Sequence, residues 1–306
     1  MKYLSVFVSI LFSFFILEIY SRLIIDNGMN YEFEMMKYAR YMKVISANKE
    51  VGIEHKKNVE KKLMGAQVKL DSNGFRILNN SYEKKKILMI GDSMTFGWGA
   101  KKPFANKLNE LINDYHVING GIGNTNTIMQ IENFFENHKS LYNYEVIVLN
   151  FYINDFERVN INKPHILEKY SYFYTFFFNK MTNLLIRFKL KDNWQNFYED
   201  TFLDESFKNK TLQKIVELKK YCDNKNIKFI IHNIPELRNL KNYGFTEQTK
   251  IIENFSKENE IIFLNSINAL SSFKEEELWV SKEDPHANDK AHDIISQYLV
   301  DKLIDF

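Results

Sequence analysis

Residues 86–99 read Lys-Ile-Leu-Met-Ile-Gly-Asp-Ser-Met-Thr-Phe-Gly-Trp-Gly, and this stretch constrains the chain more than any other. Ile87 to Ile90 form an unbroken apolar run, the pattern of a strand covered on both faces. Gly91 permits a sharp turn, Asp92 and Ser93 arrive at the carboxyl end of that strand, and Gly97 and Gly99 keep the next loop free of bulk. Open α/β sheets bind their ligands at this end of their strands. The same residues also suit a plain strand-to-helix turn in which Asp92 or Ser93 caps a helix.

Three later segments change the balance, each placed just after an expected strand. His116-Val117-Ile118 leads into Asn119-Gly120-Gly121-Ile122-Gly123-Asn124-Thr125, and Val146 to Phe151 leads into Tyr152-Ile153-Asn154-Asp155. Near the C-terminus stands Glu283-Asp284-Pro285-His286-Ala287-Asn288. Together with Gly91-Asp92-Ser93, these segments resemble the four sequence blocks of the SGNH (GDSL) hydrolases. Ser72-Asn73-Gly74-Phe75-Arg76 is similar to the lead-in of a membrane-anchored bacterial subgroup. The resemblance spans about residue 72 to the end and rests on the order and spacing of the blocks.

The resemblance implies acyl transfer. Ser93 would be the nucleophile, His286 the base and then the acid, and Asp284 the carboxylate that orients the imidazole. Glu283, three residues before the histidine, is the alternative acid. The oxyanion would receive hydrogen bonds from the Ser93 N–H, the Asn124 N–H and the Asn154 side chain. The position of the usual second-block glycine is Asn124, so Gly123 is the alternative donor. Asn tolerates a left-handed backbone better than most residues, and a backbone donor can survive there. In the third block Tyr152 replaces a glycine, which predicts a tighter and more aromatic loop, and His-Ala-Asn replaces the commoner His-Pro-Asn.

Composition narrows the partners. Net charge is +2 from nearly balanced acids and bases with no basic stripe, so nucleic acid is not an expected partner. The glycines at 120, 121 and 123 lack the G-x-G-x-x-G spacing and a G-K-[ST] ending, which argues against a nucleotide. No cofactor or metal is expected. His55, His116, His138, His165 and His232 have no recognisable partner in sequence, and His292 reads as a surface or capping residue. The single Cys222 excludes an internal disulfide.

The run from Tyr3 to Leu17 carries no charge, and Glu18 and Arg22 then interrupt an apolar stretch that continues to Ile25. This spans a membrane if the two charges lie at the far interface. No small-x-small cleavage site follows, so the expectation is an uncleaved signal anchor at 1–25. The chain would then be a single-pass protein of the bacterial inner membrane, with its catalytic domain periplasmic or extracellular; the alternative is secretion after cleavage.

Residues 26–85 read as a neck in which Met35, Met36, Tyr38, Tyr41 and Met42 recur at helical spacing. Residues 86–306 alternate strands and helices, which predicts a three-layer α/β sandwich around a parallel, flavodoxin-like sheet. Pro103 starts one expected helix and Thr127 caps another. The aromatic segment from Tyr170 to Leu190 falls in an expected helical insertion at about 157–205. Asn179, Lys180 and Asn183 make it costly as a second span, so it is expected to pack on the domain as a lid or acyl-binding wall. The function the resemblance implies is that of a serine esterase acting on O-acyl, chiefly O-acetyl, groups of a carbohydrate or small molecule. The alternatives are an O-acyltransferase using the same serine, or a catalytically weak glycan-binding or assembly protein.

Overall fold

The computed structural model describes residues 2–77, 84–161, 164–188, 190 and 193–304. Met1 of the expected anchor, residues 78–83 of the neck and residues 162, 163, 189, 191 and 192 of the expected insertion lie outside them.

The chain starts with helix α1 (Lys2–Tyr20), prolonged by a helical turn to Ile25, and continues with α2 (Tyr31–Met42). Two antiparallel hairpins follow, β1 (Lys43–Ile45) with β2 (Ile53–His55) and β3 (Glu60–Leu63) with β4 (Ala66–Lys69). The alternating region comprises β5 (Lys85–Gly91), α3 (Ser93–Phe96), α4 (Phe104–Leu111), β6 (Tyr115–Gly121), α5 (Thr127–Asn133) and β7 (Tyr144–Phe151). A long crossover carries α6 (Ile166–Tyr170), α7 (Tyr172–Arg187), α8 (Trp194–Leu203) and α9 (Glu205–Asn224). The last part is β8 (Lys228–Asn233), α10 (Thr246–Glu258), β9 (Ile262–Asn265), α11 (Ile267–Leu270), the hairpin β10 (Trp279–Ser281) and β11 (Asp284–Ala287), and α12 (Asp289–Ile304).

The five strands of the central sheet are parallel and lie in the order β6-β5-β7-β8-β9. This is the flavodoxin-like arrangement, with its switch point where the first strand meets the third. Packing of α4 on α12 and of α5 on α9 completes the three layers. The apolar run in β5 is explained directly: Leu88 and Met89 point to opposite faces of the sheet, and both are fully buried. Ile147, Val148, Leu149, Ile230 and Ile231 extend that core through the two neighbouring strands. Each such side chain contributes roughly 1.5–3 kcal/mol of burial.

A second apolar cluster joins the neck to the loop beyond Ser93: Tyr38, Met42, Leu63, Val68, Phe96 and Trp98 pack together. The segment before the sheet is therefore part of the wall around the candidate site. Arg76 adds to this by pairing with Asn119 beside the sheet, its N–H donating to the Asn119 carbonyl at 3.0 Å. One local expectation needs correction. The cap of α5 is Asn126, whose side chain accepts from the Met129 N–H at 3.0 Å, because its extended backbone places the carbonyl over the first turn; Thr127 is already helical.

Candidate active site

At the end of β5 the chain turns so tightly that a Cβ on Gly91 would overlap Thr95 Oγ1. Asp92 Oδ1 accepts from the Met94 N–H at 2.8 Å and caps α3, whose other end is closed by Gly97 at φ 80°. Capping and serine presentation thus coexist, since Asp92 makes the cap while Ser93 Oγ lies 3.0 Å from His286 Nε2. The histidine arrives on β11. Its hairpin is tied down by the Asn288 amide, which donates to the carbonyls of Glu277 at 2.8 Å and Trp279 at 2.9 Å. The Asn of the His-Ala-Asn segment therefore holds the loop that carries His286.

On the far side of the ring, His286 Nδ1 lies 2.5 Å from Asp284 Oδ1. Asp284 is buried, and its other oxygen accepts from the Trp98 indole N–H at 2.9 Å. Glu283 is exposed, with Ser281 Oγ at 3.4 Å. Burial disfavours charge on His286, but the Asp284 carboxylate outweighs it and raises the imidazole above its ordinary range. Burial likewise opposes the charge on Asp284, yet His286 and its hydrogen bonds hold that carboxyl below its usual value. Asp92 behaves oppositely, because it is fully buried and burial raises it despite the Met94 N–H and the nearby His286.

Two loops complete the site. After β6, Asn124 has φ 63°. The Gly123 N–H donates to Tyr38 Oη at 3.0 Å, and the Gly123 carbonyl accepts from Lys43 Nζ at 3.1 Å. A trans peptide whose carbonyl faces Lys43 directs the Asn124 N–H the opposite way. A Cβ on Gly123 would lie 3.5 Å from Ser93 Cβ, so this loop borders the serine. After β7, Asn154 sits in a short helical turn, its Oδ1 buried without a protein partner and its side chain interacting with Asp92. Asp155 braces that turn by accepting from the Tyr152 N–H at 2.8 Å and from Gln130 Nε2 at 2.7 Å. Tyr152 itself is buried.

Sequence reasoning missed the residues that support this geometry. Arg76 is buried and donates to the carbonyls of Phe96 at 2.9 Å, Gly97 at 2.6 Å and Ala100 at 2.6 Å, pinning the loop that carries Trp98. From α2, the Tyr31 ring stacks on His286 at 6.0 Å between centroids, and Tyr38 Oη also bonds His55 Nε2 at 2.7 Å. All of these residues lie in the expected neck, whose helical spacing signalled only packing. The Ser72–Arg76 lead-in was the one signal available for Arg76.

Of the four other buried histidines, His138 packs against the Phe75 ring and three are held by hydrogen bonds. His55 also reaches the Gly74 carbonyl, His232 is held between Asn150 and Ser266, and His292 accepts from the Phe104 N–H at the start of α4. Burial lowers each of the three to about 3, so they are neutral. His292 is thus a capping residue, though buried rather than on the surface. No group of three or more His, Cys, Asp or Glu side chains among the described residues could hold a metal ion.

Fold and site together define a flavodoxin-like α/β protein carrying a serine, a histidine and an aspartate in hydrogen-bonded series at the switch point of its sheet. No family model and no curated protein matches the chain. Among solved structures it is similar to a GDSL-like lipase from Bacteroides thetaiotaomicron, with 15% identity and a TM-score of 0.43 over 74% of this chain and 93% of that one. It is also similar to an acetylxylan esterase from Geobacillus stearothermophilus, with 14% identity and a TM-score of 0.44 over 71% and 93% of the two chains. A third is another acetyl xylan esterase, with 13% identity and a TM-score of 0.46 over 71% and 98%.

Proposed function

We propose that the chain is a membrane-anchored serine esterase that hydrolyses O-acyl esters through an acyl-enzyme on Ser93. The observation that carries this reading is the Ser93 Oγ to His286 Nε2 to Asp284 series at the carboxyl end of β5. His286 takes the Ser93 proton as Oγ attacks the ester carbonyl, and returns it to the leaving alkoxide. Water then enters with His286 again as base, releasing the acid and restoring Ser93. Asp284, rather than the exposed Glu283, orients the imidazole and stabilises its charged form.

The oxyanion is received by the N–H groups of Ser93 and Asn124 and by the Asn154 side chain. Asn124 is favoured over Gly123 because the Gly123 N–H is already bonded to Tyr38. Each such donor is worth roughly 2.7–4 kcal/mol of barrier. A carbohydrate leaving group suits a cavity of about 490 Å³ lined by Tyr31, Glu32, Asn179, Lys180, Asn183 and Glu283. These side chains offer donors, acceptors and one aromatic ring beside His286. Acetyl is the acyl group favoured here.

The anchor reading rests on α1 and its following turn. Among the described residues, Lys2–Ile25 is the one helix long and apolar enough to cross a membrane, and almost all of its apolar residues are exposed. With Lys2 on the inner side, the remainder lies outside the inner membrane. The test is turnover of p-nitrophenyl acetate and acetylated xylo-oligosaccharides by the full chain and by Ser93→Ala. Turnover abolished in the variant supports the reading, whereas wild-type rates in the variant contradict it.

A further inference from the structure

We propose that the outer face of α7 lies in the lipid interface beside the span formed by α1. This rests on reading α1 as membrane-embedded. The two charges that interrupt the apolar run of α1 are both committed to the junction of α6 and α7. The Glu18 carboxylate accepts from Ser171 Oγ at 2.8 Å and from the N–H groups of Tyr172 at 3.1 Å and Phe173 at 2.9 Å. Arg22 pairs with Glu18 and donates to the Tyr170 carbonyl at 2.7 Å. The start of α7 is thereby clamped at the point where the apolar helix ends.

From that clamp an apolar stripe runs along α7. Phe173, Phe177, Met181, Leu184 and Phe188 recur at helical spacing on one side, and all but Phe173 are exposed, Phe188 at 66%. The stripe is continuous with α1, because Phe173 meets Phe14 edge-on at 5.7 Å. The other side of α7 is occupied: Phe33 of α2 packs on Tyr172 and Phe176, while Asn179 and Asn183 face the polar cavity. Lys180 lies on the cavity side with its ammonium over the Phe176 ring, and Arg187 is exposed at the end of the helix.

An aromatic and aliphatic face about 24 Å long over 16 residues, closed by an exposed arginine in its last turn, is the pattern of a helix lying in a membrane surface. The occupant is the leaflet that α1 crosses. The polar cavity and His286 then sit directly behind an interfacial helix, so the ester is presented from the membrane surface.

The test uses the full chain in phosphatidylcholine–phosphatidylglycerol nanodiscs, with an environment-sensitive fluorophore on single introduced cysteines; Cys222 is buried and stays unlabelled. Labels at Met181→Cys and Leu184→Cys are expected to lose emission to lipids spin-labelled near the headgroup and to resist aqueous iodide. A label at Phe12→Cys reports α1 through deep spin labels, and one at Lys257→Cys on α10 is the water-exposed reference. If the α7 labels follow Lys257→Cys while Phe12→Cys is quenched, the interfacial helix is wrong and the anchor stands. If Phe12→Cys also follows the reference, the anchor reading fails and takes the proposal with it. Protection from iodide without lipid quenching points to a protein partner and overturns the proposal as well.

Discussion

Asp284 illustrates how much one hydrogen bond decides. It faces His286 Nδ1 while Glu283 points to solvent, and no feature of the Glu-Asp-Pro-His order separates the two. As the proposed general base, His286 would act only when neutral, and its proton affinity is raised. Activity is therefore lost as pH falls through a value above the ordinary imidazole pKa of about 6.5, and a pH profile of kcat/KM checks the position of that acid limb. Asp284→Asn is expected to cut kcat by roughly 10⁴-fold and to shift the limb to lower pH. Glu283→Gln should change neither, and the reverse ranking would transfer the role. At residue 124, φ of 63° predicts that Asn124→Gly retains activity and Asn124→Val loses it, measured as kcat/KM on a soluble ester. Equal tolerance of both would exclude its backbone from the oxyanion site.

The elements were legible where one physical signal dominated. The apolar run of Ile87–Ile90 gave β5, and the segments after β6 and β7 could be placed because buried strands precede them. The neck was read only as an amphipathic helix, because pairing partners distant in sequence leave no local trace. Tyr38 meets Gly123 and His55, and Arg76 meets three carbonyls of the serine loop. Arg76→Met would strand those buried carbonyls at roughly 1–3 kcal/mol each. Urea unfolding should show a clearly lower midpoint, and an unchanged midpoint would deny Arg76 its bracing role. Tyr38→Phe leaves two groups, the Gly123 N–H and His55 Nε2, unpaired at about 1–3 kcal/mol each, so a smaller loss than for Arg76→Met is expected in the same assay.

For the whole molecule, the parallel three-layer sheet was readable from the alternation of strands and helices, and so was an apolar helix ahead of it. The joint between α1 and α7 was not, because Glu18 and Arg22 read as interruptions of a span rather than as a cap for a helix some 150 residues later. Removing residues 1–25 should yield a folded chain, freed of its membrane span, that still turns over small esters, since the hydrogen bonds joining Ser93, His286 and Asp284 involve none of those residues. Sedimentation and kcat/KM check this, and a folded but inactive product would assign the anchor a part in the site. Extending the deletion through Met42 should abolish folding, because Phe33, Tyr38 and Met42 are fully buried. The central claim, that Ser93 is an activated nucleophile, is tested most directly by exposing the full chain to a fluorophosphonate and mapping the adduct by mass spectrometry. The account predicts a single phosphonylated peptide carrying Ser93, absent from Ser93→Ala; a folded protein that resists the reagent, or one modified at another residue, would contradict it.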